Sequence, residues 1–403
     1  MSPRTEPAST CERRFWFAEQ IGAGTRSVLL HIEIDGLVDE VALAEALRAV
    51  RARHEALRTG FALRGTALVR EVHADPGGPE LVLLPPDVGL ADVSRVLTAV
   101  PLDLAGGSLI RAGVRGGDLF VVVHHIVFDG LSGQVFTKDL AAAYRQALDT
   151  GRADLGVSGR RPEPVIAAPR RAVLERHWRA RLDGVPELPD LGASTTLREL
   201  TRGTVVEHEW SRPAGEAGRL RAYAREAGIS VFTLALWAFA SALGEVGGAD
   251  DFCVGTVFAD RPPGADHEIG CMINMLPIRI VGAGRDGGLA RAWEAAVDAL
   301  THSELPIEDI VAACAPGNRR RMPLYQATLL YQSWPRVDHD AGPARLRSRP
   351  VSPRGGYAEV LLEVRDDERW HGVFQAPERA GWASRLDALS TAFSDRLDGL
   401  GRP

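Results

Sequence analysis

Hydrophobic and polar positions along the chain follow the two periodicities of regular secondary structure. Residues 27–34 alternate between apolar and polar side chains, as a half-buried strand does. A helix is predicted next, because Asp39 is a good N-cap and apolar residues recur at spacings of three, four and seven over residues 43–57. Residues 119–128 form an almost continuous run of β-branched and aromatic side chains, which predicts a buried strand. Ser132 is expected to cap the helix that follows.

The second half of the chain repeats this order of strands and helices. Strands are predicted at residues 204–210, 251–258, 269–281 and 324–332 and as a hairpin around Asp366-Asp367, and helices at 230–243, 289–300, 307–314 and from 382 to 397. No short-period repeat is found, so we expect the two halves to share a plan rather than a sequence.

The pattern and the length together predict an α/β protein with two lobes. A chain of 403 residues is longer than one ordinary hydrophobic core accommodates. The stretch after residue 150 is rich in Gly, Pro and Arg and has no periodicity, which is typical of a linker. We therefore predict an N-terminal lobe at 1–156, a linker at 157–169 and a C-terminal lobe at 170–403.

Composition excludes several classes of protein. Hydrophobic residues make up 45% of the chain and charged residues 25%, and no uninterrupted apolar run is long enough to span a membrane. The polar start, MSPRTEPAST, does not resemble a secretory signal, so a cytoplasmic location is expected. A net charge of -6, with Lys138 as the only lysine and no basic tract, gives no case for nucleic acid binding.

Two further patterns are weak. The cysteines at positions 11, 253, 271 and 314 lack the spacing of a zinc site or a disulfide framework. Gly282, Gly284 and Gly287 match a GxGxxG dinucleotide loop, but no repeated parallel βαβ pattern surrounds them, so a strand-to-helix turn is favoured.

His124 and His125 are the most unusual feature of the sequence, since two polar rings interrupt a strand predicted to be buried. Adjacent strand residues point to opposite faces, so the two rings are not expected to share a metal with Asp129, and no metal site is predicted. One ring is expected to face packed structure and the other a cavity. Gly130 would offer an N–H at a helix start, where a developing oxyanion is stabilised. Residue chemistry alone leaves a structural interpretation open.

Several separated motifs resemble those of one family. The sequence HHIVFDG at 124–130 resembles the HHxxxDG signature of the condensation domains of nonribosomal peptide synthetases, within the superfamily of chloramphenicol acetyltransferase. Further motifs occur in the family's order, at residues 9–16, 53–59 (RHEALRT), 269–279 (IGCMIN…R), 302–308 and 321–326. There are departures: Cys11 and Glu12 stand where Ala and Gln are usual, and the expected Tyr-x-Asp-aromatic element is not found at 163–168.

The resemblance implies two chloramphenicol acetyltransferase-like lobes, each an α+β two-layer sandwich, arranged in a V with a tunnel between them. His125, with Gly130 and His124, would form the catalytic centre at the middle of the tunnel. Asp129 would be structural and would pair with Arg279, whose burial in an apolar strand would otherwise be costly. The tunnel candidates are Arg58, Ser132 and Asn274.

The implied function is transfer of an acyl or aminoacyl group from a carrier-protein phosphopantetheine thioester to an amine in natural-product biosynthesis. An ester-forming acyltransferase and a catalytically silent recruitment module are the alternatives, and an epimerisation domain would need further motifs that are not seen. No bound cofactor is expected. The partners would be peptidyl or acyl carrier proteins and a small amine or alcohol acceptor. No adenylation-like region or GGxS carrier motif is found, so the chain is either free-standing or a cut piece of a longer protein. Met1 close to the opening motif and a closing helix near Pro403 favour a free-standing protein, and a monomer is expected.

Overall fold

The chain divides into two compact units in the computed structural model, which describes residues 3–20, 27–74, 81–159, 163–192, 196, 204–314, 321–333, 337–349, 351 and 358–400. Unit 1 comprises Met1–Pro164, Arg261–Ile273 and Arg336–Pro353, and unit 2 comprises Val165–Asp260, Asn274–Pro335 and Arg354–Pro403. The first boundary falls within the predicted linker, of which residues 160–162 lie outside the described residues. The predicted lobes were continuous stretches, whereas two later segments belong to unit 1.

The strands and helices predicted around residues 27–34, 43–57 and 119–128 and after residue 132 are present, with other bounds at some of their ends. The elements up to residue 182 are, in chain order, β1 (Arg4–Pro7), α1 (Thr10–Gln20), β2 (Ser27–Gly36), α2 (Glu40–Arg53), a 3-10 turn (Glu55–Arg58), β3 (Thr59–Arg64), β4 (Ala67–Val72), β5 (Leu81–Leu83), α3 (Leu90–Leu97), β6 (Ile110–Arg115), β7 (Asp118–His124), a 3-10 turn (His125–Val127), α4 (Gly130–Thr150) and α5 (Ala168–Leu182).

The remaining elements continue the mixed order of strands and helices. They are β8 (Val205–Arg212), α6 (Ala214–Glu226), α7 (Val231–Gly247), β9 (Asp251–Ala259), β10 (Ile273–Val281), α8 (Gly288–Thr301), α9 (Ile307–Cys314), β11 (Ala327–Gln332), β12 (Asp338–Asp340), β13 (Ala344–Arg349), β14 (Val360–Asp366), β15 (Trp370–Pro377), a 3-10 turn (Gly381–Arg385) and α10 (Leu386–Asp398).

Unit 1 is built on a mixed six-stranded sheet in the order β12-β13-β2-β7-β6-β5. Its neighbours are antiparallel except β5 and β6, which run parallel. Strand β13 pairs with β2, which explains why a segment so late in the chain belongs to unit 1. A smaller three-stranded sheet has the order β1-β4-β3. The central strand β7 is buried along nearly its whole length, as its apolar run predicts.

Helices α2 and α4 supply much of the core of unit 1. Asp39 caps α2 as predicted, because its carboxylate accepts the N–H groups of Val41 at 3.0 Å and Ala42 at 2.9 Å. Tyr144 joins α4 to the segment before α2, since its hydroxyl donates to the Leu37 carbonyl at 3.0 Å and accepts from Asp39 N–H at 2.7 Å. These contacts tie α4 to the start of α2.

Unit 2 has its own mixed six-stranded sheet, in the order β10-β9-β11-β14-β15-β8. Strand β11 runs parallel to β9 and β14, whereas β14, β15 and β8 form antiparallel pairs. Helix α7 is buried on most of its surface, and Phe239 packs against Phe374 of β15 in the core. The hairpin predicted around Asp366-Asp367 is confirmed as β14 and β15. The predicted α/β fold class is confirmed, since both units combine helices with a mixed sheet.

Two local predictions were wrong next to the histidines. The strand ends at His124 rather than continuing to residue 128, and the helix N-cap is Asp129 rather than Ser132. The Asp129 carboxylate accepts Ser132 N–H at 2.9 Å, so the aspartate makes the capping contact that was expected of the serine.

Within the described ranges, no single helix combines the length and apolar character of a membrane span. Helices α6 and α7 pass that test only when taken together, and the chain bends by 105° between them.

Candidate active site

The two adjacent histidines occupy different kinds of backbone. His124 is the last residue of β7 and lies opposite Ser27 of β2, whereas His125 opens the 3-10 turn that leads to α4. The two rings were expected to point apart because side chains alternate along a strand, but His125 is not in the strand. The change from strand to 3-10 backbone sets the two side chains in different surroundings.

The His124 ring is buried and engaged by neighbouring groups. Its Nδ1 accepts the N–H of Ile126 at 3.1 Å, so in the neutral ring the hydrogen is carried by Nε2. That Nε2 lies 3.6 Å from a carboxylate oxygen of Glu19 on α1. These contacts brace the turn that begins at His125.

The His125 ring is partly exposed and is supported by helix α1. Phe15 stacks on it with the ring centroids 4.5 Å apart and the planes within 20°. Helix α1 begins with a capping box, in which the Ser9 hydroxyl accepts Glu12 N–H at 3.1 Å and the Glu12 carboxylate accepts Ser9 N–H at 2.7 Å. The glutamate that departs from the family's usual Gln thus completes the cap. The opening motif fixes the helix that holds the His125 ring.

Asp129 is buried and its carboxylate is saturated with donors. Oδ1 accepts the N–H and hydroxyl of Ser132 at 2.9 and 2.8 Å, and a guanidinium N–H of Arg261 at 2.6 Å. Oδ2 accepts the N–H of Met272 at 3.0 Å. Asp129 thus accepts four hydrogen bonds from within the protein, and the structural role that the resemblance implies for it stays a prediction.

The predicted ion pair between Asp129 and Arg279 is wrong. The partner of Asp129 is Arg261, and the side chains of the pair are 2% and 5% exposed. Arg261 also donates to the carbonyls of Ala265 at 3.1 Å and Glu268 at 2.8 Å, so it organises the 261–273 segment around the aspartate. Arg261 was missed because it lies in a turn outside any of the motifs. The only physical reason to look for a cation was that a buried Asp129 without a partner would be costly.

Arg279 has a different partner within unit 2. Its guanidinium forms a two-pronged contact with Asp251 at 2.8 and 2.6 Å, and that hydrogen bond raises the pKa of Arg279. It also donates to the carbonyls of Arg181 at 3.3 Å and Asp183 at 2.8 Å. Both side chains of the Arg279–Asp251 pair remain partly exposed to solvent. Arg279 therefore has a counter-ion in unit 2 and is not buried without a partner.

Ser132 was predicted to line a tunnel, but it is fully buried and supports Asp129. Its oxygen accepts from Gly270 N–H at 3.1 Å and lies 3.0 Å from the Gly270 carbonyl oxygen. A hydroxyl offers one donor and two acceptor sites, and Asp129, Gly270 and Arg261 occupy them. Ser132 therefore ties the start of α4 to the 261–273 segment.

Asn274, another predicted tunnel residue, is buried with every hydrogen-bonding site of its amide in use. Its NH2 group donates to the carbonyls of Ser303 at 3.1 Å and Leu305 at 2.8 Å. Its carbonyl oxygen accepts the N–H groups of Met275 at 2.9 Å and Ile307 at 3.0 Å. The amide thereby fastens β10 to the loop that precedes α9, which is a structural role.

Arg58 and Gly130 are the remaining predicted site residues. Arg58 lies buried in the 3-10 turn before β3, where its guanidinium donates to the His73 carbonyl and lies 4.0 Å from Glu55. Those contacts are structural. Gly130 is the first residue of α4 and is exposed, three residues after the turn that holds His125. It lies at the positive end of α4, and the oxyanion role expected of it stays a prediction.

The glycine-rich turn at 282–287 is filled by an arginine of the same chain. Arg291 donates to the carbonyls of Val281 at 3.0 Å, Gly282 at 2.6 Å and Asp286 at 2.9 Å. A loop that binds phosphate turns N–H groups towards its ligand, whereas this one turns carbonyls towards a cation. The geometry is that of a strand-to-helix turn.

His177, Asp298 and His302 each place a ligand atom within 4.8 Å of the others. The two imidazoles are stacked, with centroids 3.4 Å apart and planes within 9°. Lone pairs of parallel rings lie in separate planes and do not converge on one ion. Arg181 lies 3.4 Å from the Asp298 carboxylate and neutralises part of its charge. The arrangement is a stacked, ion-paired cluster rather than a chelating site.

The fold and motifs described above match one known protein family. A family model described as "Condensation domain" matches residues 4–354. The chain belongs to the condensation-domain family. Members of this family are in general acyltransferases that form amide bonds, and the curated relatives of this condensation domain are synthetases of secondary metabolites.

The chain spans a small part of the curated proteins that it matches. Malpinin synthetase of Mortierella alpina is 30% identical over 358 residues, which cover 81% of this chain and 4% of that protein. The phosphinothricin tripeptide synthetase PhsC of Streptomyces viridochromogenes is also 30% identical over 358 residues, covering 81% of this chain and 32% of that protein.

Solved structures share the fold over nearly the whole chain. The condensation domain of the monacolin K polyketide synthase MokA matches with a TM-score of 0.79 and 20% identity, covering 98% of this chain and 97% of that one. The X-domain from teicoplanin biosynthesis matches with a TM-score of 0.78 and 23% identity, covering 100% and 97% of the two chains. At these identities the likeness establishes the fold.

Proposed function

We propose that this condensation domain transfers an acyl or aminoacyl group from the phosphopantetheine thioester of a carrier protein to an amine. The observation that carries the proposal is the division of roles around the HHxxxDG motif. His124 and Asp129 are buried in fixed contacts, whereas His125, the first residue after β7, is partly exposed. His125 is thus the polar side chain of the motif that is placed to meet a substrate.

The reaction joins the acceptor nitrogen to the thioester carbonyl carbon and breaks the carbon–sulfur bond. An amine carries two protons through the attack, and one must leave before the tetrahedral intermediate collapses to the amide. His125 would take that proton, or hold the amine in line with the carbonyl, and the departing thiolate would then be protonated. Because Nδ1 of His125 is buried, we assign the contact with the acceptor to Nε2.

Asp129 does not serve as the base in this account. Its two oxygens accept from Ser132, Arg261 and Met272, so protein donors occupy them in a buried setting where the carboxylate does not meet substrate. Its role is to fix the start of α4. The Gly130 N–H at that helix end is then available to the oxyanion, where partial positive charge stabilises the transition state.

Positioning is expected to supply a large part of the rate enhancement. Holding acceptor and thioester in one site converts a bimolecular attack into an effectively unimolecular one, which lowers the barrier by up to about 7–11 kcal/mol. We assign no bound cofactor to the reaction, because the acyl group arrives already activated as a thioester. The partners are then an acyl or peptidyl carrier protein and a small amine.

The proposal is tested by following the mass of the donor. An acyl carrier protein is loaded with a panel of acyl-phosphopantetheine thioesters and mixed with the enzyme and candidate acceptors, with amines and alcohols of matched structure in competition. Intact-mass measurement detects which acyl group leaves the carrier, and product mass identifies the bond formed. Acceptor-dependent unloading with an amide product supports the proposal.

Two results would contradict it. A predominance of ester over amide in the competition would make the protein an alcohol acyltransferase. The second result is that no acyl group is unloaded faster than without enzyme, although the protein shows a cooperative unfolding transition and is therefore folded. That result would favour a silent recruitment module.

A further inference from the structure

One helix of unit 1 contacts both histidines of the HHxxxDG motif. Phe15 and Glu19 lie four residues apart on α1, so they share one face of that helix. Phe15 stacks on the His125 ring, with the ring centroids 4.5 Å apart. A carboxylate oxygen of Glu19 lies 3.6 Å from Nε2 of His124. Neighbouring positions of one helix face therefore meet the two adjacent histidines, and Glu19 is the one that follows the opening motif at residues 9–16 rather than belonging to it.

The hydrogen on the neutral His124 ring has a defined place. Nδ1 accepts the N–H of Ile126 at 3.1 Å, which leaves Nε2 as the donor. If the hydrogen moved to Nδ1, two N–H groups would face each other inside the protein, and the turn that begins at His125 would lose this hydrogen bond. The tautomer of His124 and the position of the turn therefore depend on each other.

The Glu19 carboxylate is placed to favour that tautomer. Its Oε2 and the Nε2 of His124 are both buried, and within the described part of the chain neither atom has a hydrogen-bonding partner. At 3.6 Å the contact is longer than an ordinary hydrogen bond. Water does not screen two buried atoms, however, so the carboxylate charge attracts the N–H dipole more strongly than it would in solvent. The surroundings of a histidine ring decide which nitrogen carries the hydrogen, and here they favour Nε2.

This contact complements the stacking of Phe15. The stacking restrains the His125 ring itself, whereas the contact of Glu19 with His124 restrains the backbone turn on which that ring is carried. The capping box at the start of α1 fixes the helix from which both side chains extend. Helix α1 is thus able to set both the ring and the turn.

We propose, on the basis of the acyl transfer proposed above, that Glu19 is a positioning residue for that reaction. It holds the hydrogen of His124 on Nε2 and thereby keeps Nδ1 free to accept the N–H of Ile126. That hydrogen bond fixes the turn that carries the His125 ring. Glu19 acts through His124 and does not itself touch the acceptor or the thioester.

The kinetic test compares variants of α1 in acyl transfer from a loaded carrier protein. We expect Glu19→Ala to lower kcat by about 10- to 100-fold and to leave KM for the acceptor within about twofold, because the substrate loses no direct contact while the imidazole is displaced. Glu19→Gln keeps an acceptor oxygen at the same place without the charge, and it should retain more of the rate than Glu19→Ala. Gln20→Ala alters the next residue of the helix, which is exposed, and should match the wild type.

A spectroscopic measurement distinguishes positioning from a general loss of structure. The full chain is labelled with ¹⁵N in its histidine rings, and the spectrum of His124→Asn identifies the signals of His124 by their absence. At neutral pH the wild type should show a protonated Nε2 and an unprotonated Nδ1. In Glu19→Ala a second state of this ring should appear, with a hydrogen on Nδ1. Thermal unfolding of each preparation verifies that it is folded.

Three results would overturn the proposal. The first is a wild-type spectrum with the His124 hydrogen on Nδ1, and because this result needs no variant it stands even where a Glu19 variant fails to fold. The second is a folded Glu19→Ala protein in which the nitrogen signals of His124 are those of the wild type. The third is a folded Glu19→Ala protein whose kcat is unchanged or whose defect lies in KM alone.

The spectra also separate this proposal from the proposed function. Absence of acyl transfer by the wild type would contradict the proposed function, and the nitrogen signals would still decide whether Glu19 sets the His124 ring. Transfer by the wild type together with unchanged signals in Glu19→Ala would leave the function in place and contradict the role of Glu19.

Discussion

Arg261 donates to Asp129 at 2.6 Å, and neither side chain is more than 5% exposed. We expect Arg261→Met to lower the free energy of unfolding by about 3–5 kcal/mol, because it leaves a buried carboxylate without its counter-ion. Arg279→Met is the matched control, since it breaks a partly exposed pair with Asp251 and should cost about 1 kcal/mol. Urea unfolding of the two variants measures both values. A larger loss for the Arg279 variant would contradict the assigned pairing.

Phe15 supports the His125 ring through stacking at 4.5 Å. We expect Phe15→Ala to slow acyl transfer by about 10- to 100-fold, because the imidazole loses the surface that fixes its position. Phe17→Ala removes an aromatic ring from the same helix that is 57% exposed, and it should leave the transfer rate near that of the wild type. Single-turnover rates with a loaded carrier distinguish the variants. Equal rates for the two variants would contradict the role of Phe15 in positioning the His125 ring.

His124 is assigned a structural role because its Nδ1 accepts Ile126 N–H. His124→Leu leaves that buried N–H without a partner and should lower the free energy of unfolding by about 1–3 kcal/mol. Asparagine places an acceptor oxygen near the position of Nδ1, so His124→Asn should retain more of the stability. If the two variants unfolded at the same urea concentration, the contact with Ile126 would not be what matters at this position.

The Asn274 amide joins β10 to the loop before α9 through four hydrogen bonds. Asn274→Asp keeps the shape but turns a carboxylate oxygen towards the carbonyls of Ser303 and Leu305, where two donors stood before. We expect a loss of about 2–4 kcal/mol in unfolding free energy, measured by urea titration at pH 7. An unchanged urea midpoint would contradict the structural role of Asn274 and leave it a candidate for contact with substrate.

Asp139 provides a prediction with a pH dependence. Burial acts to raise the pKa of this α4 carboxyl, but the hydrogen bond from His54 at 2.8 Å and the charge of Arg53 lower it below its ordinary 3.8. A lowered folded-state pKa contributes stability that is present above the unfolded value and is lost as the pH falls through the folded value. The difference in unfolding free energy between wild type and Asp139→Asn should be present above pH 3.8 and shrink as the pH falls below it. A difference that grows as the pH falls below 3.8 would contradict the sign.

Much of the fold follows from sequence periodicity, and the regions where prediction failed share a cause. The strand run at residues 119–128 is apolar throughout, so hydrophobicity alone could not reveal that the backbone turns at His125. Likewise Ser132 and Asp129 are both good N-caps, and their competition is decided by which side chain reaches the free N–H groups. Local propensity identifies the helix or strand but does not determine the residue at which it begins or ends.

Long-range partners were the least predictable part of the site. The resemblance implied an arginine partner for Asp129 but indicated the wrong one. The sequence offers many arginines, and the choice of Arg261 depends on the path of the 261–273 segment. Ser132 and Asn274 lie in or beside motifs, and residue type could not tell a substrate contact from a saturated internal hydrogen bond.

The most direct test of the central claim is the single-turnover rate of His125→Ala with an acyl-loaded carrier protein and the acceptor identified by mass. Thermal unfolding of the same preparation verifies that the variant is folded. The account predicts a loss of about 100-fold or more at neutral pH, as expected when a general base is removed. A folded variant that transfers the acyl group at the wild-type rate would contradict the assignment of His125 as the group that acts on the acceptor.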